Sequence, residues 1–155
     1  MKVHLWAFGS PSDSWLAEGE KIYTGRIEHY LPFEYKTIHA SKSNKKEIVL
    51  TAEIKWLKLQ LQNTPSRLIL LDEKGTQFTS PQFSTKLEQW RQGSHRRLIF
   101  LIGSAYGFDD SIYTLADDKL SISKFTLPHQ LCRLIFLEQM YRACTILRGQ
   151  SYHHE

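Results

Sequence analysis

Two kinds of apolar run alternate along this chain. The segments "KVHLWAF" (2–8), "FEYKTIH" (33–39), "RLILLD" (67–72), "RLIFLIG" (97–103) and "KLSIS" (119–123) are short and apolar, and they predict strands. Longer helical patterns lie between and after them, near 14–30, 44–62, 81–92, 110–117 and 129–147. The third and fourth strands are almost wholly apolar, as strands of a parallel sheet covered on both faces should be. This β-α alternation predicts a three-layer α/β fold on a mostly parallel sheet, with residues 1–155 forming one domain. No repeat, low-complexity tract or linker interrupts the pattern. Two helix starts carry local signals: Ser80 as a cap before Pro81, and Asn44 with Glu47 as a capping box.

In an open parallel sheet, ligands bind beyond the carboxyl ends of the strands. Here "LLDEKG" ends the third strand in Asp72 and Gly75, and "LIGSAYGF" ends the fourth in Gly103, Ser104 and Gly107. The segment "SISKFTLPH" leads from the fifth strand into the last helix. One such loop needs no explanation beyond turn formation. Three at the same sheet edge point to a site where backbone can approach a ligand closely. The chain lacks a G-x-G-x-x-G turn, a G-K-[ST] phosphate loop and a G-x-S-x-G elbow, which disfavours hydride transfer, P-loop chemistry and hydrolase triads.

The last helix is apolar nearly all round: Leu131, Leu134, Ile135, Phe136, Leu137, Met140, Tyr141 and Ile146 cover most directions of the wheel. One side must pack on the sheet, and the other calls for a partner, most simply a second copy in a homodimer. Yet the helix also holds His129, Arg133, Glu138 and Arg142, and the chain finishes on Tyr152-His153-His154. Glu138 and Arg142 are four residues apart in the favourable order and can pair, whereas Arg133 points elsewhere. The bland reading is a structural ion pair followed by a frayed end. The functional reading is a cluster that does chemistry, with Gly149 turning the tail back onto the helix. Two histidines alone do not make a metal site, and no metal is expected.

Composition narrows the class. With 41% hydrophobic and 23% charged residues and no long apolar run, the chain reads as soluble and cytoplasmic, without a signal peptide or membrane span. Cys132 and Cys144 lie about 18 Å apart along one helix, so they read as reduced core thiols. The formal net charge is +4, and residues 36–67 hold seven Lys/Arg against Glu47 and Glu53. Those lysines either serve solubility or form a footprint for phosphates.

The segments "LLDEKG", "FLIGSAYGF", "LSISKFTLPHQLCRLIFLEQMYRA" and terminal "YHHE" together resemble the ribosomal RNA large-subunit methyltransferase H family. The likeness spans the chain in length and element order and is sharpest over 97–155. It implies a SPOUT-class α/β fold with a C-terminal trefoil knot, a homodimer, and S-adenosylmethionine as cofactor. The implied substrate is N3 of a pseudouridine in the helix 69 loop of 23S ribosomal RNA, on the ribosome; neither DNA nor a membrane is an expected partner. Cofactor contacts implied by the resemblance are Leu71, Gly103, Ile122, Ser123, Lys124, Phe125, Thr126 and Leu127. Arg142, His153, Tyr152, Glu138 and His129 are the candidate catalytic residues, with Arg142 and His153 foremost for substrate handling. The family usually has two glycines where this chain has Gly103-Ser104, so Ser104 adds a side chain beside the cofactor loop. A non-catalytic RNA- or ribosome-binding protein of the same fold, or a methyltransferase for small molecules, are the rival readings.

Overall fold

The computed structural model describes residues 1–154; Glu155, the last residue of the "YHHE" tail, lies outside the described residues. The strands are β1 (Lys2–Phe8), β2 (Phe33–Ile38), β3 (Ser66–Gln77), β4 (Arg97–Ile102) and β5 (Asp118–Ser121). The helices are α1 (Ser14–Glu28), α2 (Lys46–Leu61), α3 (Ser80–Arg91), α4 (Asp110–Leu115) and α5 (His129–Leu147). The sheet order is β2-β1-β4-β3-β5, and every strand pairing in it is parallel. Among the described residues, no helix is long and apolar enough to cross a membrane.

The period of two in the strands divides the core between the two faces of the sheet. Val3, Leu5, Ala7, Ile69, Leu71, Leu98, Phe100 and Ile102 face α1, α3 and α5, meeting Ile27, Phe83, Leu87, Phe136, Leu137 and Met140. Trp6, Phe8, Ile38, Leu68, Leu70, Ile99 and Leu101 face the other way, onto Leu57 of α2 and Ile112 of α4. Each fully buried aliphatic or aromatic side chain contributes about 1.5–3 kcal/mol, so the doubly covered β3 and β4 anchor the fold. These are the three layers the sequence pattern predicts.

Local details differ. β3 runs on to Gln77 instead of ending at Asp72, because it meets β5 twice: Leu71 and Thr76 both lie opposite Leu120, with the residues between them bulged out of register. The cap of α3 is Thr79, not Ser80. Gln82 bonds back to Thr79 to complete the capping box, while the Ser80 hydroxyl donates to Gln139 of α5 at 2.6 Å. Asn44 and Glu47 form no box: α2 starts after Lys45 with no side-chain cap, and the Asn44 carbonyl accepts a bond from the Tyr106 hydroxyl at 2.9 Å. Leu137 and Met140, two of the residues that make α5 apolar nearly all round, lie wholly within the chain's own core. Both cysteines are free thiols; burial pushes Cys132 and Cys144 up to about 11.

Arg133 is fully buried on α5 and serves neighbours other than Glu138, as its position on the helix implies. Its guanidinium donates to the carbonyls of Phe8 (3.2 Å) and Ser10 (2.8 Å) and to the Ser12 hydroxyl (3.3 Å). Ser12 in turn donates to the buried carboxyl of Glu20 at 2.5 Å. The chain end of β1, the following loop, α1 and α5 are thereby locked together. Removing the guanidinium strands two carbonyls and leaves a cavity. Arg133→Ala is therefore expected to lower unfolding stability by about 3–5 kcal/mol in urea titrations. The exposed Lys2–Glu34 pair, although 2.7 Å long, is expected to contribute at most about 1 kcal/mol in the same assay. A loss at Arg133 no larger than that of Lys2→Ala would show that the guanidinium is not what holds α5.

Candidate functional site

The carboxyl ends of β3, β4 and β5 converge on a cavity of about 370 Å³. Leu71, Gly103, Ile122, Ser123, Phe125, Thr126 and Leu127 line it, so seven of the eight residues expected to contact a cofactor share one wall. Lys124 does not: it is exposed and lies outside the lining. The bulge of β3 adds Asp72, Glu73 and Lys74, and the loop after β4 adds Ser104, Tyr106, Gly107 and Phe108. Tyr113 of α4 donates its hydroxyl to Asp72, and burial, followed by that bond, pushes the Tyr113 phenol up to about 12. Sequence reasoning missed these residues apart from Asp72, Ser104 and Gly107. The "YGF" aromatics lay within a segment already singled out, but nothing local marks Tyr113.

Backbone packing explains the glycine at the head of this loop. A Cβ on Gly103 would come within 3.2 Å of the Gly107 carbonyl and 3.3 Å of the Phe108 ring. The loop closes on itself through the Gly107 N–H, which donates to the Ser104 carbonyl at 2.9 Å. Ser104 does not obstruct the cavity with a projecting hydroxyl, because its Oγ is buried.

The five candidate catalytic residues separate into two places. His129, at the start of α5, lines the cavity. Burial, with Arg133 nearby, holds its imidazole below the usual histidine value, so it is neutral at pH 7. Glu138, Arg142, Tyr152 and His153 gather instead toward the other end of α5; nine residues of helix put Glu138 about 13 Å beyond His129.

This second cluster is built by a turn in the backbone. Gly149 has φ +65°, its N–H donates to the Ile146 carbonyl, and the Gln150 N–H donates to the Thr145 carbonyl, both at 3.0 Å. That is a Schellman cap, and it sends the tail back along the helix as the glycine predicts. The Tyr30 hydroxyl fastens Gln150. Tyr152 then packs its ring 4.6 Å from that of Tyr141, lies 4.8 Å from the Arg142 guanidinium and donates to Glu138 at 3.0 Å. Arg142 donates to the same Glu138 oxygen through Nε (3.0 Å) and Nη2 (2.5 Å), and that pairing raises its pKa further. Its Nη1 lies 3.2 Å from Nδ1 of His153; a guanidinium can only donate, so this bond requires an unprotonated Nδ1. Burial and the bonds to Tyr23 and Glu138 raise the Tyr152 phenol, which keeps its proton at neutral pH. Among the described residues, no three His, Cys, Asp or Glu side chains gather as a metal ion would need.

A family model described as predicted SPOUT methyltransferase matches residues 1–153. The ribosomal RNA large subunit methyltransferase H of Cytophaga hutchinsonii is 46% identical over 156 residues, covering 99% of this chain and all of the relative. That of Geobacter metallireducens is 41% identical over 154 residues, with 99% of each chain covered. Among solved structures, a probable methylase family protein from Haemophilus influenzae Rd KW20 superposes with a TM-score of 0.55 at 8% identity, over 99% of this chain and 70% of that one, a likeness of fold alone. On the family match and these near full-length identities, the chain belongs to the ribosomal RNA large subunit methyltransferase H family of SPOUT methyltransferases.

Proposed function

We propose that the protein transfers a methyl group from S-adenosylmethionine to N3 of a pseudouridine in the helix 69 loop of 23S ribosomal RNA, acting as a homodimer on the ribosome. The observation that carries this reading is the convergence of Leu71, Gly103 and the 122–127 segment on one cavity at the carboxyl edge of the sheet. The cavity suits the cofactor: its volume is in the range of small-ligand sites, Leu71, Ile102, Ile122 and Leu127 give apolar wall, and Asp72 and Glu73 offer acceptors to a cationic ligand. When bound, S-adenosylmethionine supplies an already activated methyl group. The protein's own residues then have to bind, align and manage one proton, since the pseudouridine imide nitrogen holds a proton at neutral pH.

Two sets of groups suit that task. Neutral His129 on the cavity wall can accept a proton, and the cationic Arg142, steadied by Glu138, can favour the anionic form of the base. Tyr152 offers an aromatic face on which a base can stack. Because α5 separates His129 from the tail cluster, the reading has the tail of one subunit serving the cavity of its partner. The partly open side of α5, with Leu131, Leu134 and Ile135, supports such a dimer, as do the exposed Trp15 and Ile22 of the neighbouring α1. Trp15 is 67% exposed, far more than a lone monomer would favour. Lys42, Lys45, Lys46 and Lys55 are all exposed and form the phosphate-facing surface of this reading. The trefoil threading, the single domain over 1–155 and the cytoplasmic location belong to the same proposal. The buried Ser104 hydroxyl supports cofactor binding over the non-catalytic alternative.

Three outcomes test it. Gly103→Ala should displace the 103–107 loop and weaken S-adenosylmethionine binding about tenfold or more by calorimetry, with little change in unfolding temperature; unchanged affinity would remove Gly103 from the cofactor site. Deleting residues 151–155 should abolish methylation while calorimetry still shows cofactor binding and light scattering still gives a dimer mass. Primer extension on ribosomal RNA from cells with only the truncated protein reads this directly, because N3 methylation blocks pairing; a persistent stop at the target would make the tail dispensable, and a monomer mass for the intact protein would refute the shared site. Reversing the charge of Lys42, Lys45, Lys46 and Lys55 should weaken ribosome binding and flatten its salt dependence while leaving cofactor affinity unchanged. A salt slope like that of the unmodified protein would assign these lysines to solubility.

A further inference from the structure

Glu53 stands out among groups the mechanism does not use. It lies on α2 between the buried residues Val49, Leu50 and Leu57, and is itself only 2% exposed. Its Oε2 has no hydrogen-bond partner. The group it meets is Ser104, whose hydroxyl is also buried without an aligned partner, and whose residue forms part of the cavity wall. The same loop is tied to the segment before α2 a second time, by the Tyr106 hydroxyl on the Asn44 carbonyl at 2.9 Å. Two buried polar groups without hydrogen-bond partners are thus neighbours, and one of them, Ser104, belongs to the cavity wall.

Among the described residues, Glu53 forms no salt bridge. Burial raises the Glu53 pKa to about 7, and the Ser104 hydroxyl opposes that rise; no basic side chain contributes. The titratable groups on the cavity itself come from other elements: Asp72, Glu73 and Lys74 from β3, Tyr106 from the loop after β4, Tyr113 from α4, and His129 and Cys132 from α5. In a poorly screened interior, a positive charge entering the cavity would supply the missing counter-charge, and a neutral ligand would not.

We propose that Glu53 is a specificity-determining residue of the cofactor cavity, acting through the Ser104 wall to favour a sulfonium ligand over its neutral thioether. The inference rests on the S-adenosylmethionine reading above, and it concerns how substrate and product are told apart. Methyl transfer removes the positive charge from sulfur, so a carboxylate behind the wall holds the reactant and releases the product. By linkage, a cationic ligand lowers the Glu53 pKa, and deprotonation of Glu53 strengthens cation binding by the same factor. The sign follows: affinity for the sulfonium, relative to the thioether, rises as pH increases through about 7 and levels off once Glu53 is fully ionised.

The test is calorimetric titration of the intact protein with S-adenosylmethionine and with S-adenosylhomocysteine between pH 6 and pH 8.5. For the unmodified protein, the affinity ratio should rise about tenfold across this range. Glu53→Gln should leave the ratio nearly flat, and because it retains His129 it separates the two titrations. Should the amide variant not fold, Glu53→Met, an apolar chain of similar length, replaces it. Titrations in two buffers of different ionisation heat should also show S-adenosylmethionine releasing a larger fraction of a proton at pH 7 than S-adenosylhomocysteine. A ratio in the Glu53 variants that climbs with pH as in the unmodified protein would overturn the proposal while leaving the cofactor assignment standing. Absence of any S-adenosylmethionine binding by the intact protein would overturn both.

Discussion

The carbonyl oxygens of Phe8 and Ser10, at and just beyond the end of β1, need a donor, and the Arg133 guanidinium supplies it. A buried cation is costly unless its donors are directed and some negative charge stands near; Nε of Arg133 has no partner among the described residues, so the second condition carries the more weight. Here the nearest is Glu20, one serine hydroxyl away. The bond geometry leaves α5 little freedom to slide or rotate, because either motion strands a charge and two carbonyls together. From that position the rest follows. The first turns of α5 bring His129 and Cys132 onto the cavity wall, and Phe136 reaches across the sheet face to Phe100, with ring centroids 4.9 Å apart. The last turns present Glu138 and Arg142 to the returning tail.

The strands and helices were legible because period-two and helical patterns report burial directly, and the unbroken apolar runs of β3 and β4 report burial on both faces. What the pattern could not report is anything decided across the chain. Thr79 and Ser80 are equally good caps by residue type; Gln82 decides for the first, and Gln139 of a distant helix engages the second. Asp72 looks like the end of a strand, yet β3 resumes after a bulge because β5 offers it a second partner at Leu120. Leu137 and Met140 look the same on a helix wheel as Leu131 and Leu134, and only the packing of α5 on the sheet tells them apart.

For the site, the same division holds. The loops at the sheet edge were legible as a group because topology places every strand end of a parallel sheet on one side. Individual contacts were less so: Lys124 sits within a segment that otherwise lines the cavity, but its side chain is solvent-exposed. Tyr113 reaches the wall through the placement of α4, which no spacing in the sequence encodes. By sequence Glu53 is an ordinary acidic residue in a basic, helical stretch, and its burial appears only once α2 is laid on the sheet. His129, Glu138 and Arg142 share one helix and the tail follows it, so by sequence they form one group; the rise per residue is what sets His129 apart.

The contacts that dock the tail nearly balance the cost of ordering it. Tyr152 has an edge-on aromatic neighbour in Tyr141 and a guanidinium over its ring, contacts worth about 0.5–1.5 kcal/mol each. Its bond to a carboxylate adds about 1.5–3 kcal/mol. Ordering each tail residue costs about 1–2 kcal/mol, so over residues 151–153 the gain and the cost nearly cancel. A terminus that made no such contacts would fray, and one buried as deeply as Arg133 could not move. The tail is neither. Its one bond to a carboxylate goes to a Glu138 oxygen that also accepts two bonds from Arg142, and Arg142 in turn meets Nδ1 of His153; each of these bonds is of the strength that an incoming polar group could replace. A segment at that balance point can be seated and still be displaced, and the proposed closing of the tail over a substrate base would require both.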